Sequence, residues 1–140
     1  MHRFEFRLEK VLMVREATER DLKEAFKTCR QATKAMENEI DGLDRQIERL
    51  MVAPYESIGD RVLADSHVIC LKDERTSKLA ALSILEQEEE NALAKWHKAR
   101  QDTETVKKLK ENALVEYKQE LARWEQKQLD EWTSTRRAAA

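Results

Sequence analysis

The chain has almost none of the residues that a compact globular fold uses for its turns. Its 140 residues include two glycines, Gly42 and Gly59, and one proline, Pro54. Tight turns depend on clusters of Gly, Pro, Asn and Asp, and the sequence has material for about one sharp reversal. This scarcity excludes a fold of many short elements and predicts very long ones.

Residues that support catalysis, metal binding or disulfide bonds are also scarce. Cys29 and Cys70 form no CxxC pair, and we interpret them as two reduced thiols of a cytoplasmic protein. His2, His67 and His97 are scattered, without an HExxH motif, and no glycine-rich phosphate loop occurs. A narrow helical pair also offers no concave pocket. We therefore expect no catalytic residue, no metal site, no cofactor and no enzymatic activity.

Long apolar runs and an excess of one charge are missing as well. The longest apolar run, residues 79–85, is interrupted by Ser83 and is far shorter than the roughly 20 residues that span a bilayer. The N-terminus is charged throughout and lacks the apolar stretch of a secretion signal. The net charge is -2, with both signs interleaved. These features predict neither nucleic-acid binding nor direct membrane insertion.

Charged residues and helix formers dominate what remains, with 39% of the chain charged. A first helix is predicted over about residues 4–52, because apolar residues alternate there by four and three, the coiled-coil heptad. Ten of the thirteen heptad positions are apolar or cysteine. The thirteen are Leu8, Leu12, Arg15, Glu19, Leu22, Phe26, Cys29, Thr33, Met36, Ile40, Leu43, Ile47 and Leu50.

The only strong punctuation lies around Pro54 and Gly59, and a break is predicted over about 53–66. Asp65 and Ser66 are a weaker interruption that could cap a helix, and a short helical turn at 61–64 stays open. A second helix is predicted over about 67–132, with a frayed tail at 133–140. Its predicted seam consists of Leu79, Leu82, Leu85, Ala92, Trp96, Ala99, Val106, Ala113, Tyr117, Leu121 and Trp124.

Two helices joined by a short connection pack antiparallel. The sequence therefore predicts one all-α domain, residues 1–140, in which two long helices form an antiparallel coiled-coil hairpin. The aromatic residues allow two interpretations. Trp96, Tyr117 and Trp124 fit the seam, whereas Trp132 lies beyond the regular pattern and fits an exposed contact, since Trp and Tyr often anchor interfaces.

The two chain ends carry a specific resemblance. The opening FEFRLEKVL from Phe4 to Leu12, followed by VRE at 14–16, resembles the F-x-F-R-L-x-x-L-L-x-x-R-E start of the flagellar export protein FliJ family. The closing ALVEYKQELARWEQKQLDE from Ala113 to Glu131 is similar to that family's C-terminal segment. Both motifs stand in the right order in a chain of fitting length, while residues 53–77 match nothing in the family pattern.

The resemblance implies a soluble stalk of the flagellar type III export apparatus, similar in architecture to the coiled-coil stalk of rotary ATPases. The implied partners are the hexameric export ATPase, whose assembly and activity the stalk promotes, the membrane export gate, met nearer the turn, and flagellar export chaperones. The implied location is cytoplasmic, peripheral at the inner membrane. The implied ATPase-facing residues match the family motifs: Phe4, Arg7, Leu8, Arg15, Tyr117, Arg123, Gln126, Lys127 and Asp130.

Two other functions stay open. An export chaperone, or an escort of chaperones, would bind flagellar subunits through exposed apolar residues on the longer helix. An unrelated coiled-coil scaffold would share the heptads without the partners.

Overall fold

The computed structural model describes residues 2–139, which form two long helices. Helix α1 spans Glu9–Val52 and helix α2 spans Ile58–Ala139. No strand occurs among residues 2–139. The helices pack antiparallel, as ion pairs such as Glu9–Lys110 and Asp44–Arg75 show. The predicted all-α antiparallel hairpin is confirmed.

The start of the first helix differs from the prediction. Helix α1 begins at Glu9 rather than at about residue 4, and residues 2–8 are not helical. The amide of Glu9 donates to the carbonyl of Phe6 at 3.1 Å, a turn that leads into the helix. The ring of Phe4 packs against α2. The side-chain packing of this segment overrides its helical propensity.

The connection between the helices is also shorter than predicted, residues 53–57 instead of 53–66. Helix α2 begins at Ile58 rather than at about 67, because the hydroxyl of Ser57 accepts a hydrogen bond from the amide of Asp60 at 3.1 Å. That bond caps the new helix. The segment 61–64, left open by the sequence, is helical, and the weak interruption at 65–66 lies inside α2.

The predicted frayed tail is helical from 133 to 139. The hydroxyls of Thr133 and Thr135 donate to carbonyls four residues earlier, at 2.9 and 2.8 Å. The remaining residues of the tail include the strong helix formers Arg and Ala, and Arg136 and Arg137 favour a helix C-terminus through its dipole. Residue 140 lies outside the described residues.

The chain divides into two compact units, each built from a part of both helices. The turn unit is Asp21–His97, and the terminal unit consists of residues 2–20 and 98–139. The single-domain prediction remains a prediction.

In the turn unit, the core is a cluster of Leu43, Ile47, Val68 and Leu71, with Leu50 packed against it. Apolar burial of this kind stabilises by about 25 cal/mol per Å² removed from water. The contact between the helices continues with the stacked rings of Phe26 and Trp96, whose centroids lie 5.7 Å apart. Exposed cross-helix ion pairs join Asp44 to Arg75 and Glu39 to Lys78.

In the terminal unit, the buried residues are Leu12, Ala99, Thr103 and Val106. Thr103 is 1% exposed, and its hydroxyl is satisfied by the carbonyl of Ala99 at 3.0 Å. A buried hydroxyl without a partner would be costly. The seam of this unit therefore tolerates a polar residue, Thr103, which the predicted seam of α2 does not include.

The burial pattern tests the two predicted seams. All thirteen positions predicted on the first helix are buried or half-buried. On α2, the prediction is wrong for Leu79 and Trp124, which are 38% and 44% exposed. It also missed Ala64, Val68 and Leu71, which are buried, because the expected break covered or adjoined them.

Candidate partner-binding surface at the chain ends

The nine residues predicted to face a partner all belong to the terminal unit. Three precede α1, one lies on α1 and five lie on α2. The structure separates them into residues that hold the unit together and residues that are free to meet a partner.

Phe4 and Tyr117 fix the N-terminal segment to α2. Their ring centroids are 5.3 Å apart with the planes tilted by 48°, an arrangement that aromatic pairs favour. The hydroxyl of Tyr117 donates to the carbonyl of His2 at 2.8 Å. Both rings are half-buried, so the first role of this pair is to hold residues 2–8 against α2.

Leu8 and Arg15 are also engaged within the unit. Leu8 is half-buried, and its carbonyl accepts the amide of Leu12 at 2.9 Å. The guanidinium of Arg15 donates to the carbonyl of Asp102 on α2 at 3.0 Å. This charge-assisted bond explains how a cation stands at a seam position, and it makes Arg15 a link between the two helices.

Arg7 is exposed in the turn that precedes α1. It lines a shallow, open depression together with Phe6, Lys10 and Lys110. The ammonium of Lys110 pairs with the carboxylate of Glu9 at 2.8 Å. The depression therefore has side chains of both charges beside the half-buried rings of Phe4 and Phe6.

The other four predicted residues lie on one stretch of α2 and are exposed. Arg123 and Lys127 are one turn apart, and their side chains have no ion pair among residues 2–139. The amide of Gln126 donates to the carboxylate of Asp130 at 3.0 Å, also one turn apart. These side chains form a polar surface that the hairpin itself does not use.

The same stretch carries apolar residues that the prediction of the site left out. From residue 122 to 139 every residue of α2 is exposed, and we call this stretch the free segment. Trp124, Leu129 and Trp132 on it are 44%, 58% and 61% exposed. The guanidinium of Arg136 lies 5.2 Å from the centroid of Trp132. Trp132 was predicted to be exposed, and Trp124 was assigned to the seam.

The signal for this apolar surface is present in the sequence. At about 100° per residue, Trp124, Gln128 and Trp132 lie within roughly 80° of one another, on the same side of α2 as Tyr117 and Leu121. The seam face of α2 thus continues beyond its contacts with the N-terminal residues. The free segment therefore exposes the same face of α2 that pairs with the rest of the hairpin earlier in the helix.

The described residues offer no group of His, Cys, Asp and Glu that could hold a metal ion. Cys29 and Cys70 are free, the first half-buried and the second exposed. No helix within residues 2–139 is long and apolar enough to cross a membrane.

Comparison with known proteins identifies the family. The family model of the flagellar FliJ protein matches residues 4–140. Neither a curated protein nor a solved structure matches significantly. The family match covers both terminal motifs and the break between the helices, and the fold agrees with the resemblance noted in the sequence. The chain therefore belongs to the flagellar FliJ family, whose members are components of the flagellar protein export apparatus.

Proposed function

We propose that this chain is the soluble stalk of the flagellar export apparatus that binds the hexameric export ATPase, promotes its assembly and activity, and links it to the membrane export gate. The observation that carries the proposal is the free segment. It presents Trp124 and Trp132 on the continuation of the seam face, beside the exposed Arg123 and Lys127. Exposed tryptophans bordered by arginine are typical anchors of protein interfaces.

The mechanism follows from placing an asymmetric helix within a symmetric ring. Six identical subunits around one helix meet six different sets of side chains. A subunit next to Trp124 and Trp132 has an apolar contact that a subunit on the opposite side lacks. A ligand shifts a conformational equilibrium by its difference in affinity for the two states. The stalk thus favours the closed, nucleotide-binding state in some subunits over others and assists the assembly of the ring.

The link to the export gate is proposed for the turn unit. Met51 and Val52, the last residues of α1, are exposed and apolar, at 57% and 76%. The hydroxyl of Tyr55 donates to the carbonyl of Leu50 and holds the connection against the end of α1. An ordered connection with apolar side chains suits a protein contact. In this arrangement the chain is cytoplasmic and is held at the inner membrane by the apparatus.

The alternative function is an export chaperone, or an escort of export chaperones, for flagellar subunits. The exposed apolar residues of the free segment favour it, because a chaperone needs apolar surface for an unfolded chain. Against it, all thirteen seam positions predicted on the first helix are buried or half-buried, which leaves little of that seam for an unfolded chain.

The test uses the purified chain and the export ATPase. Hexamer formation is followed by mass photometry, and ATP turnover is measured at saturating chain. The double variant Arg123→Glu/Lys127→Glu should reduce the stimulation at least tenfold. The matched control is Arg30→Glu/Lys34→Glu, an exposed pair with the same spacing on α1, which should retain it.

The stalk function fails if the unaltered chain changes neither hexamer formation nor ATP turnover. If it instead binds unfolded flagellar subunits, and the Trp124→Ala/Trp132→Ala variant does not, the chaperone function replaces it.

A further inference from the structure

The first part of α2 has a second apolar face on the side opposite the seam. At about 100° per residue, thirteen positions between Ile58 and Ile84 fall within an arc of roughly 140° that points away from α1. They are positions 58, 59, 62, 63, 66, 69, 70, 73, 76, 77, 80, 81 and 84, and their residues are, in that order, IGVLSICDTSAAI. We call this surface the outer face. Along the helix it extends about 40 Å.

The outer face is not covered by the rest of the turn unit. Ile58, Leu63 and Ile69 are 85%, 70% and 61% exposed. On the opposite side of the same helical turns, Val68 and Leu71 are 8% and 7% exposed against α1. Twelve of the thirteen positions are exposed, and the remaining one, Ala81, is half-buried.

The composition of the outer face is unlike that of a solvated helix surface. Charged residues make up 39% of the chain, so thirteen positions would carry about five. The outer face has one, Asp73. An ordinary surface helix has one apolar face against the core and a polar face toward water. A helix with apolar residues on two opposite faces is normally covered on both. The missing charges therefore indicate a second contact surface.

The shape of the outer face fits a helix. A straight apolar stripe on one helix is complementary to the ridges of another, and the small residues Gly59, Ser66 and Ala80 permit close approach. A Cβ added at Gly59 would meet only the hydroxyl of Ser57, at 3.8 Å, so the surface there is open.

The charge of the outer face distinguishes between possible occupants. Asp73 lies near the middle of the face and has no ion pair among residues 2–139. A second copy of this chain paired symmetrically there would bring two Asp73 carboxylates into one apolar contact, and like charges in a dehydrated interface repel. A helix with a lysine or arginine at its centre would instead neutralise Asp73. A polar residue at such a position also fixes the register of pairing helices.

We propose that the outer face is a docking site for an amphipathic helix of another protein, whose apolar side carries one lysine or arginine opposite Asp73. The proposal does not depend on binding of the export ATPase, because the outer face contains none of the ATPase-facing residues.

The test uses two designed, fluorescently labelled 28-residue helical peptides. Each has a face of Leu, Ile and Ala, with either Lys or Glu at its centre. The full chain should bind the Lys peptide at least tenfold more tightly than the Glu peptide by fluorescence anisotropy. Asp73→Lys should reverse that preference. Glu37→Lys, which makes the same charge change at an exposed position of α1, should leave it unaltered.

Ile69→Glu should abolish binding of the Lys peptide while circular dichroism shows the helicity of the unaltered chain. Equal affinity for both peptides, or no binding of either, overturns the proposal. Sedimentation of the chain alone gives a further outcome. A dimer that Ile69→Glu dissociates would show that a second copy occupies the outer face, and it too would overturn the proposal.

Discussion

At the scale of single residues, the terminal motif of the family combines packing within the chain with the proposed binding of a partner. Phe4, Leu8, Arg15 and Tyr117 make contacts inside the terminal unit. Arg123 and its neighbours on the free segment make none with α1. A motif in one sequence cannot distinguish these tasks, because packing and partner binding both restrict residue type. The sequence thus predicts the terminal region as a site but not which of its residues pack inside the unit and which stay exposed.

Tyr117→Phe tests the packing task. The change removes the hydrogen bond to the carbonyl of His2 but keeps the ring against Phe4. A hydrogen bond of this kind contributes about 0.5–1.5 kcal/mol, and less where water competes. We expect residues 2–8 to become more mobile, seen as lower NMR backbone order parameters, while the melting temperature of the chain stays nearly constant. The control is Tyr55→Phe, whose lost bond to the carbonyl of Leu50 should leave residues 2–8 unaffected.

Lys78 provides a pH-dependent test in the turn unit. Its hydrogen bond to Glu39 raises the pKa of the ammonium above the ordinary value of about 10.4, opposed by desolvation and aided by the charges of Glu39 and Glu74. A group whose pKa is higher in the folded than in the unfolded protein stabilises the fold at pH values below its unfolded pKa. This contribution is lost as the pH rises through the folded pKa. The melting temperature should fall in Lys78→Gln at pH 7, and the difference should vanish at strongly alkaline pH. A difference that persists there would contradict the assignment.

At the scale of elements, α1 was predictable because ten of the thirteen heptad positions from Leu8 to Leu50 are apolar or cysteine. The start of α2 was not, because Gly59 and Asp65 are residue types that are common in turns. In the structure, the cap at Ser57 and the burial of Val68 and Leu71 outweigh those local preferences. Gly59 adopts no positive φ and is simply part of the first turn of α2.

Substitutions on the two opposite faces of this part of α2 should differ in their effect on the free energy of unfolding. Leu71→Ala removes a side chain from the core cluster and should cost about 2–5 kcal/mol of unfolding free energy. Ile69→Ala, two residues away and 61% exposed, should change it by no more than about 0.5 kcal/mol. Urea denaturation measures both. If the cost of Ile69→Ala approached that of Leu71→Ala, the outer face would be packed within the chain rather than open.

At the scale of the whole molecule, α2 is used differently along its length. In the turn unit one face of α2 packs on α1 and the opposite face is apolar and exposed, whereas from residue 122 onward all faces are exposed. Under the proposed function the chain acts through partners, and exposed apolar surfaces are where such partners would bind. The hairpin seam is buried or half-buried and these surfaces are exposed, so stability and binding should respond to different mutations.

Trp124→Ala/Trp132→Ala tests this separation. Both side chains are exposed, so the double variant should keep the helicity and the urea midpoint of the unaltered chain. Loss of two central tryptophan anchors should still reduce stimulation of the export ATPase at least tenfold, since such anchors contribute about 2 kcal/mol or more each. The matched control is Met13→Ala/Val14→Ala, which removes two exposed apolar side chains from α1 in the same unit and should retain full stimulation. If both double variants stimulated the ATPase equally, the free segment would not be its contact surface. The stalk would then have to contact the ATPase through residues 2–20.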